Sequence, residues 1–228
     1  MEQVVSNLEF SLLEKEQFNQ YYELLVEENE KYNLTNITEV NEVYIKHFFD
    51  SLMMGKFVDL TGEVTLCDIG SGAGFPSIPL KIKYPNLKVT IIEPTQKRIN
   101  FLKLVCEKLN LKDVTLICDR AETAIINYRE KFDIVTARAV SNLSMLLELT
   151  IPFVKVNGVM VAYKGQAYNE EIENAKFAFE KLKSKVIYIH KYELINELGS
   201  RYLIEIKKNE KTNIKYPRRF AEIKKKPL

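Results

Sequence analysis

The densest chemical signal in the sequence is the run Asp68-Ile69-Gly70-Ser71-Gly72-Ala73-Gly74-Phe75-Pro76. Glycines at alternate positions permit left-handed turns and let a ligand approach the backbone without a Cβ in the way. Pro76 suits the first turn of a following helix, where its missing N–H costs little. The free N–H groups of that turn face the ligand side. Two ligands compete for such a loop. A dinucleotide pyrophosphate requires G-x-G-x-x-G, but here the spacing is G-x-G-x-G and Phe75 stands in the place of the third fingerprint glycine. S-adenosyl-L-methionine carries a cationic amino group and no phosphate, so the acid Asp68 before the loop suits it better. A glycine turn that binds nothing is the plain alternative.

Further residues of matching chemistry follow at the ends of β-branched runs. Glu93 closes the next run, about 20 residues past the loop, where an acid accepts hydrogen bonds from ribose hydroxyls in doubly wound sheets. Alone, such an acid is as readily a helix cap or a surface charge. Arg120-Ala121-Glu122 follows a third run, with backbone groups at Ala121 and the Glu122 side chain on the purine side and Arg120 equally readable as a solvent charge. Arg138 ends a fourth run, at the strand end where open α/β sheets bind ligands; the competing role is a salt bridge to the N-terminal segment. Lys164 ends a fifth and is a candidate phosphate contact. His47, Asp50 and Ser51 share one predicted helix. Without a nucleophile elbow they do not make a hydrolase triad and are expected to pack that helix onto the sheet. His190 reads as structural. Cys67, Cys106 and Cys118 are odd in number and lack C-x-x-C spacing, so disulfides and zinc are poorly supported. All three read as core residues, and no metal is expected.

The elements that must position these residues alternate. β-Branched runs at 64–68, 88–93, 114–118, 132–137 and 159–163 are separated by helical patterns at 75–84, 95–109, 121–128 and 143–153. That βαβα order predicts a parallel sheet with helices on both faces. A helix at 170–183 then precedes strand-like runs at 185–192 and 201–207, whose short connection containing Gly199 predicts an antiparallel pair. Upstream, 10–30 reads as an amphipathic helix through Leu13, Phe18, Tyr21, Leu24 and Leu25, and 39–54 as a second helix. The expected fold class is α/β, a Rossmann-like class I methyltransferase sheet of seven mostly parallel strands with a C-terminal antiparallel pair and an N-terminal helical cap. The expected division is a cap at 1–60, a cofactor-binding domain at 61–208 and a basic tail at 209–228.

The 228 residues are 46% hydrophobic and 28% charged, ordinary for a globular enzyme. No run approaches the roughly 18 apolar residues of a membrane helix. The start, with Glu2 and Glu9, lacks the pattern of a signal peptide, so a cytoplasmic protein without membrane contact is expected. From Lys207 onward nine basic residues face two acids, which puts +7 on the tail and leaves −5 on the rest of a chain of net charge +2. A basic end suits a polyanion or is simply solvated. Tyr216, Arg218 and Arg219 with Lys224, Lys225 and Lys226 join an aromatic to that charge, as RNA binding commonly does.

Taken together, the chain resembles the bacterial ribosomal RNA small subunit methyltransferase G (RsmG/GidB-type) family, which methylates guanine N7. The resemblance rests on Asn33-Leu34-Thr35, on His47 with Asp50-Ser51-Leu52, on Asp68 through Leu80, on Lys97-Arg98, Arg120-Ala121-Glu122, Arg138-Ala139-Val140, Lys164-Gly165, Tyr216-Pro217-Arg218 and Lys226-Pro227-Leu228. Ser77 stands where glycine is usual, and residues 220–223 replace a Gly/Pro-containing stretch. The resemblance implies S-adenosyl-L-methionine as cofactor, bound through Gly70, Phe75, Glu93, Ala121 and Glu122, with Arg138 facing the reaction site; Asp68, Gly72, Gly74 and Arg138 are expected to join the cofactor-binding set. It implies a guanine of small-subunit (16S) ribosomal RNA, free or in a 30S subunit or assembly intermediate, as acceptor. Guanine N7 carries a free lone pair, so no general base is expected, in keeping with the lack of an Asn/Asp-Pro-Pro-Tyr/Phe element and of a cysteine after the fourth or fifth strand. A monomer with no obligate protein partner is the default. The alternatives are a methyltransferase for another RNA or a small molecule, and a non-catalytic RNA-binding or assembly factor on the same fold.

Overall fold

The structure, a computed structural model, describes residues 9–138, 141–195 and 198–228. Ala139 and Val140 of the Arg138-Ala139-Val140 motif, and Glu2, lie outside the described residues.

Helix α1 (Leu12–Tyr32) starts in a capping box: the Ser11 hydroxyl accepts from Glu14 N, and Glu14 Oε2 accepts from Ser11 N at 2.6 Å. It ends at Asn33, whose left-handed backbone (φ 50°) closes the last turn. Its buried stripe is Phe18, Tyr21 and Leu25, at i, i+3 and i+7; Leu13, expected on that stripe, faces solvent at 64% exposure. The second helical run is not continuous. It comprises α2 (Val40–Val43), a π-helical stretch Tyr44–Phe49, α3 (Asp50–Leu52) and α4 (Met54–Phe57). A π turn inserts one extra residue and rotates the next side chains about the helix axis, which here re-aims His47 and Asp50.

Seven strands come after the N-terminal helices: β1 (Thr65–Ile69), β2 (Lys88–Ile92), β3 (Val114–Ile117), β4 (Phe132–Arg138), β5 (Val154–Lys164), β6 (Ser184–Glu193) and β7 (Ser200–Lys208). Between them lie α5 (Ser77–Lys83), α6 (Gln96–Lys108), α7 (Ala121–Tyr128), α8 (Leu143–Thr150), α9 (Tyr168–Asn174) and α10 (Lys176–Leu182), with α11 (Phe220–Lys225) near the C-terminus. The sheet order is β3-β2-β1-β4-β5-β7-β6. β1 to β5 pair in parallel, and β7 lies antiparallel between β5 and β6. This is the mostly parallel seven-stranded class I methyltransferase sheet. β5 starts at Val154, earlier than the pattern suggested, because Asn157 (φ 70°) and Gly158 bend it at a register shift without ending it. The 170–183 helix is two, α9 and α10, meeting at the fully buried Ala175.

Each face of the sheet has its own apolar cluster. One joins Phe18, Tyr21 and Phe48 of the N-terminal helices to Leu66, Ile78 and Phe101. The other joins α7, α8 and α10 to Tyr216 and Ile223. Cys67 is fully buried as expected and Cys106 is half-buried, but Cys118 is exposed. It sits just past β3, the edge strand, where one flank has no neighbour, so it is not a core residue. No helix among the described residues is long and apolar enough to cross a membrane.

Candidate cofactor and acceptor site

The chain reverses its direction of winding between β1 and β4, the point at which open α/β sheets leave a crevice. The loop after β1 fills one side of it. Gly70, Gly72 and Gly74 all have positive φ. At Gly74 a Cβ would also meet Ile78 and the Tyr21 hydroxyl at 2.7 Å and Leu102 at 2.9 Å, so the loop packs directly on α1, α5 and α6. The Tyr21 hydroxyl donates to Ala73 O at 2.5 Å. Phe75 is buried and stacks against the His47 ring at 4.4 Å. Glu93 is 1% exposed: Oε2 accepts from Gly72 N at 3.1 Å and Oε1 from Thr95 N at 3.0 Å. The acid after β2 thereby fixes the loop after β1.

A cavity of about 310 Å³ opens here, lined by Gly70, Glu93, Arg120, Ala121, Glu122 and Phe220 among others. Of the residues expected to hold a cofactor, Gly70, Glu93, Ala121 and Glu122 line it. Gly72 donates to Glu93, Gly74 packs on Tyr21, Ile78 and Leu102, and Phe75 stacks on His47 of the N-terminal helices. Asp68 lies fully buried beneath the loop, where Oδ2 accepts from Ser77 N at 3.3 Å. Its Oδ1 and the Ser71 hydroxyl are buried with no partner. Burial pushes the Asp68 carboxyl up to about 7; nearby Glu93 adds to the rise, while the Ser77 side chain and N–H, and then Arg138, oppose it. Two carboxylates and an unpartnered hydroxyl around a glycine turn disfavour a pyrophosphate and match a ligand with a cationic end and ribose hydroxyls. By that test the residues fit S-adenosylmethionine.

Across the crevice Arg138 ends β4. Its guanidinium donates to the carbonyls of Lys46 and His47 (2.5 and 3.4 Å) and to the Ser51 hydroxyl at 3.3 Å, and lies 3.3 Å from the Asp50 carboxylate. It also meets His47 Nδ1 at 3.2 Å. Arginine can only donate, so Nδ1 accepts and the ring proton sits on Nε2, facing Thr35 Oγ1 at 3.0 Å. Burial, reinforced by the Arg138 charge, holds His47 down to about 3, a neutral ring. The Tyr192 hydroxyl donates to Asp50 and the Tyr163 hydroxyl to Ser51 O, at 2.5 and 2.7 Å. Thr35, His47, Asp50, Ser51 and Arg138 thus form one network. A second cavity, about 530 Å³, lies beside it and is lined by Lys46, Asp50, Arg138, Tyr163, Lys164 and Arg201 among others.

Three expected RNA contacts are engaged within the protein. Tyr216 is 5% exposed and packs in a core cluster, so its ring is not free to stack. Arg218 makes a two-pronged pair with the fully buried Glu148, at 2.8 and 2.6 Å. Lys164 lines the second cavity, but its ammonium is held by Glu171 and Ser141 O at 2.6 and 2.9 Å. Arg219, Lys224, Lys225 and Lys226 are exposed. Tyr163, Tyr192 and Phe220 were not singled out from sequence. Tyr163 precedes Lys164 on the same strand end and was findable on that ground; Tyr192 and Phe220 reach the site by tertiary packing alone.

Comparison with known proteins decides the family. The family model described as GidB, rRNA small subunit methyltransferase G, matches residues 14–198. The chain belongs to the rRNA small subunit methyltransferase G family. A family member named ribosomal RNA small subunit methyltransferase G from Staphylococcus saprophyticus is 50% identical over 97% of this chain and 93% of its own length. Another of that name from Bacillus cytotoxicus is 52% identical over 93% and 90%. Among solved structures, a SAM-dependent methyltransferase from Aquifex aeolicus superposes with a TM-score of 0.55 at 18% identity, covering 72% of this chain and 92% of that one. TYW2 from M. jannaschii, solved in complex with AdoMet, gives 0.54 at 22% identity over 69% and 72%. These two show the shared fold.

Proposed function

We propose that this family member transfers a methyl group from S-adenosyl-L-methionine to N7 of a guanine in small-subunit (16S) ribosomal RNA. The observation that carries the reading is the pair of cavities flanking the β1/β4 switch point, one lined by Glu93, Ala121 and Glu122 and the other by Arg138. The Gly70–Gly74 loop and Glu93 hold the nucleoside, Ala121 and Glu122 the purine, and Asp68 with Ser71 the charged amino-acid end. When bound, the cofactor supplies a methyl group already activated by its sulfonium. The chain's task is alignment and exclusion of water. Arg138, its guanidinium held by the Lys46–Ser51 segment, places its positive charge in the acceptor cavity beside the O6 edge of the guanine and leaves the N7 lone pair free. No residue need take a proton, and the one imidazole nearby is neutral with its Nδ1 already engaged. Arg219, Lys224, Lys225 and Lys226 supply RNA phosphate contacts, and the acceptor is a loop or an unstacked segment. A cytoplasmic monomer acting on RNA or the 30S subunit, with a cap at 1–60, a transferase domain at 61–208 and a tail at 209–228, completes the proposal.

The test is incubation with methyl-labelled S-adenosylmethionine and unmethylated small-subunit RNA or subunits, followed by nucleoside analysis. Label in 7-methylguanosine is expected. Cofactor binding without label would point to another acceptor, and no cofactor binding to an assembly factor without turnover.

A further inference from the structure

Phe220 opens the C-terminal helix and lines the cofactor cavity with Ala121 and Leu149. Its place there is enforced from both sides. Upstream, Arg129 donates to Tyr216 O at 2.6 Å and Arg218 grips the buried Glu148. Downstream, Ile223 is fully buried in the apolar cluster under α8. Phe220 is half-buried, and the Arg120 guanidinium, also in the cavity lining, sits over its ring at 5.4 Å from the centroid. Arg120 is in turn 3.9 Å from Glu122. The cavity lining includes the apolar side chains of Ile69, Ile92, Leu149 and Phe220 beside Arg120, Ala121 and Glu122. Apolar side chains with an aromatic ring among them suit a flat heteroaromatic ring.

We propose that the C-terminal helix is part of the cofactor site: Phe220, held by Arg120, forms a wall against the adenine ring. This rests on the cofactor reading above and adds a residue and an element to it. The tail then contributes to cofactor affinity in its own right, apart from any contact with RNA.

Calorimetry with S-adenosylhomocysteine, with no RNA present, tests it. Stacking of a base on an aromatic ring, removed by an alanine substitution, corresponds to roughly a tenfold loss of affinity. Phe220→Ala should therefore bind about tenfold more weakly, with Phe220→Leu in between. Arg120→Gln should weaken binding in the wild-type background and change little in the Phe220→Ala background, because the guanidinium acts through the ring. The chain has no tryptophan, so Phe220→Trp installs a single indole at the wall. Its emission should change saturably with S-adenosylhomocysteine and with 5′-methylthioadenosine, which keeps the adenine, and not with methionine. A purely structural role for Phe220 would not produce that ligand pattern. If wild type binds S-adenosylhomocysteine while Phe220→Ala binds equally well and the Phe220→Trp emission stays silent, the wall is overturned and the cofactor reading stands. If wild type binds no S-adenosylhomocysteine, both fall together.

Discussion

Asp68 combines complete burial with a carboxyl oxygen that has no hydrogen-bond partner. Ser77 N–H donates to the other oxygen; Ser77 and Arg138 favour the charged form, and Glu93 disfavours it. Burial prevails and raises its folded-state pKa to about 7 from an ordinary 3.8. A raised folded pKa means that the native chain binds a proton more tightly than the unfolded one. The associated stability is fully present below about pH 4 and is lost as pH rises through about 7. Asp68 alone should therefore remove about 4 kcal/mol between those limits. His47 acts oppositely: burial depresses its pKa to about 3, so its contribution is present above about 6.5 and is lost as pH falls. Comparing wild type with Asp68→Asn cancels His47, which is common to both. The expected result, from urea unfolding at a series of pH values, is that Asp68→Asn gains stability on wild type as pH rises from 5 to 8. Parallel profiles would mean that Asp68 is ionised throughout. The same titration bears on function, since a cationic ligand that favours the carboxylate should bind more tightly as pH rises through about 7.

At the scale of elements the tail is the instructive case. Its composition suggested a basic tail that either faces RNA or is simply solvated, but part of it is built into the fold. Arg218 is consumed by Glu148, Tyr216 and Ile223 are core, and Arg219 with Lys224 to Lys226 faces outward. Deleting the tail is thus a poor probe of RNA contacts, because it would strand a buried carboxylate at Glu148. The cleaner probe is the triple Lys224→Gln, Lys225→Gln, Lys226→Gln. If all three lysines meet phosphates, the slope of log affinity against log salt for single-stranded RNA should shrink by about 2. Thermal stability should be unchanged. A full-size slope in the triple variant would take those lysines out of the interface. Arg218→Ala should behave in the opposite way, destabilising by about 3–5 kcal/mol through the unpaired Glu148. Why one half of the tail was legible and the other not is physical. Charge is a property of composition, whereas the choice between Glu148 and a phosphate depends on which element lies beneath. The same holds elsewhere. The five parallel strands and the glycine loop were plain from periodicity and spacing. β5 was clipped because Asn157-Gly158 has the composition of a turn, and the π turn at Tyr44–Phe49 is invisible to a 3.6-residue period.

For the molecule as a whole, the sheet's switch point divides labour between two cavities, and the N-terminal helices bind the two sides together. Tyr21 holds Ala73 of the glycine loop, His47 stacks on Phe75, and the Lys46–Ser51 segment cradles Arg138. In sequence these ties were apparent only as the expectation that His47, Asp50 and Ser51 pack the cap onto the sheet and as the salt bridge to the N-terminal segment weighed for Arg138, which the structure shows to Asp50. Each joins residues distant along the chain, 52 apart for Tyr21 and Ala73 and 91 apart for His47 and Arg138. They imply that the cap is not a separable unit, since Phe18, Tyr21 and Phe48 share a core with Leu66, Ile78 and Phe101. Chains of this size often unfold through intermediates, but a common core argues for one transition here. Far-UV circular dichroism and tyrosine emission should therefore trace the same curve on heating. S-adenosylhomocysteine should move that whole curve upward, as a ligand of the native state does. A variant lacking residues 1–57 should show neither a cooperative transition nor ligand binding. An early transition that ignores the ligand, followed by a later one that responds to it, would mean that the cap melts first. In that case Tyr21 and His47 could not be what holds the glycine loop in its binding form.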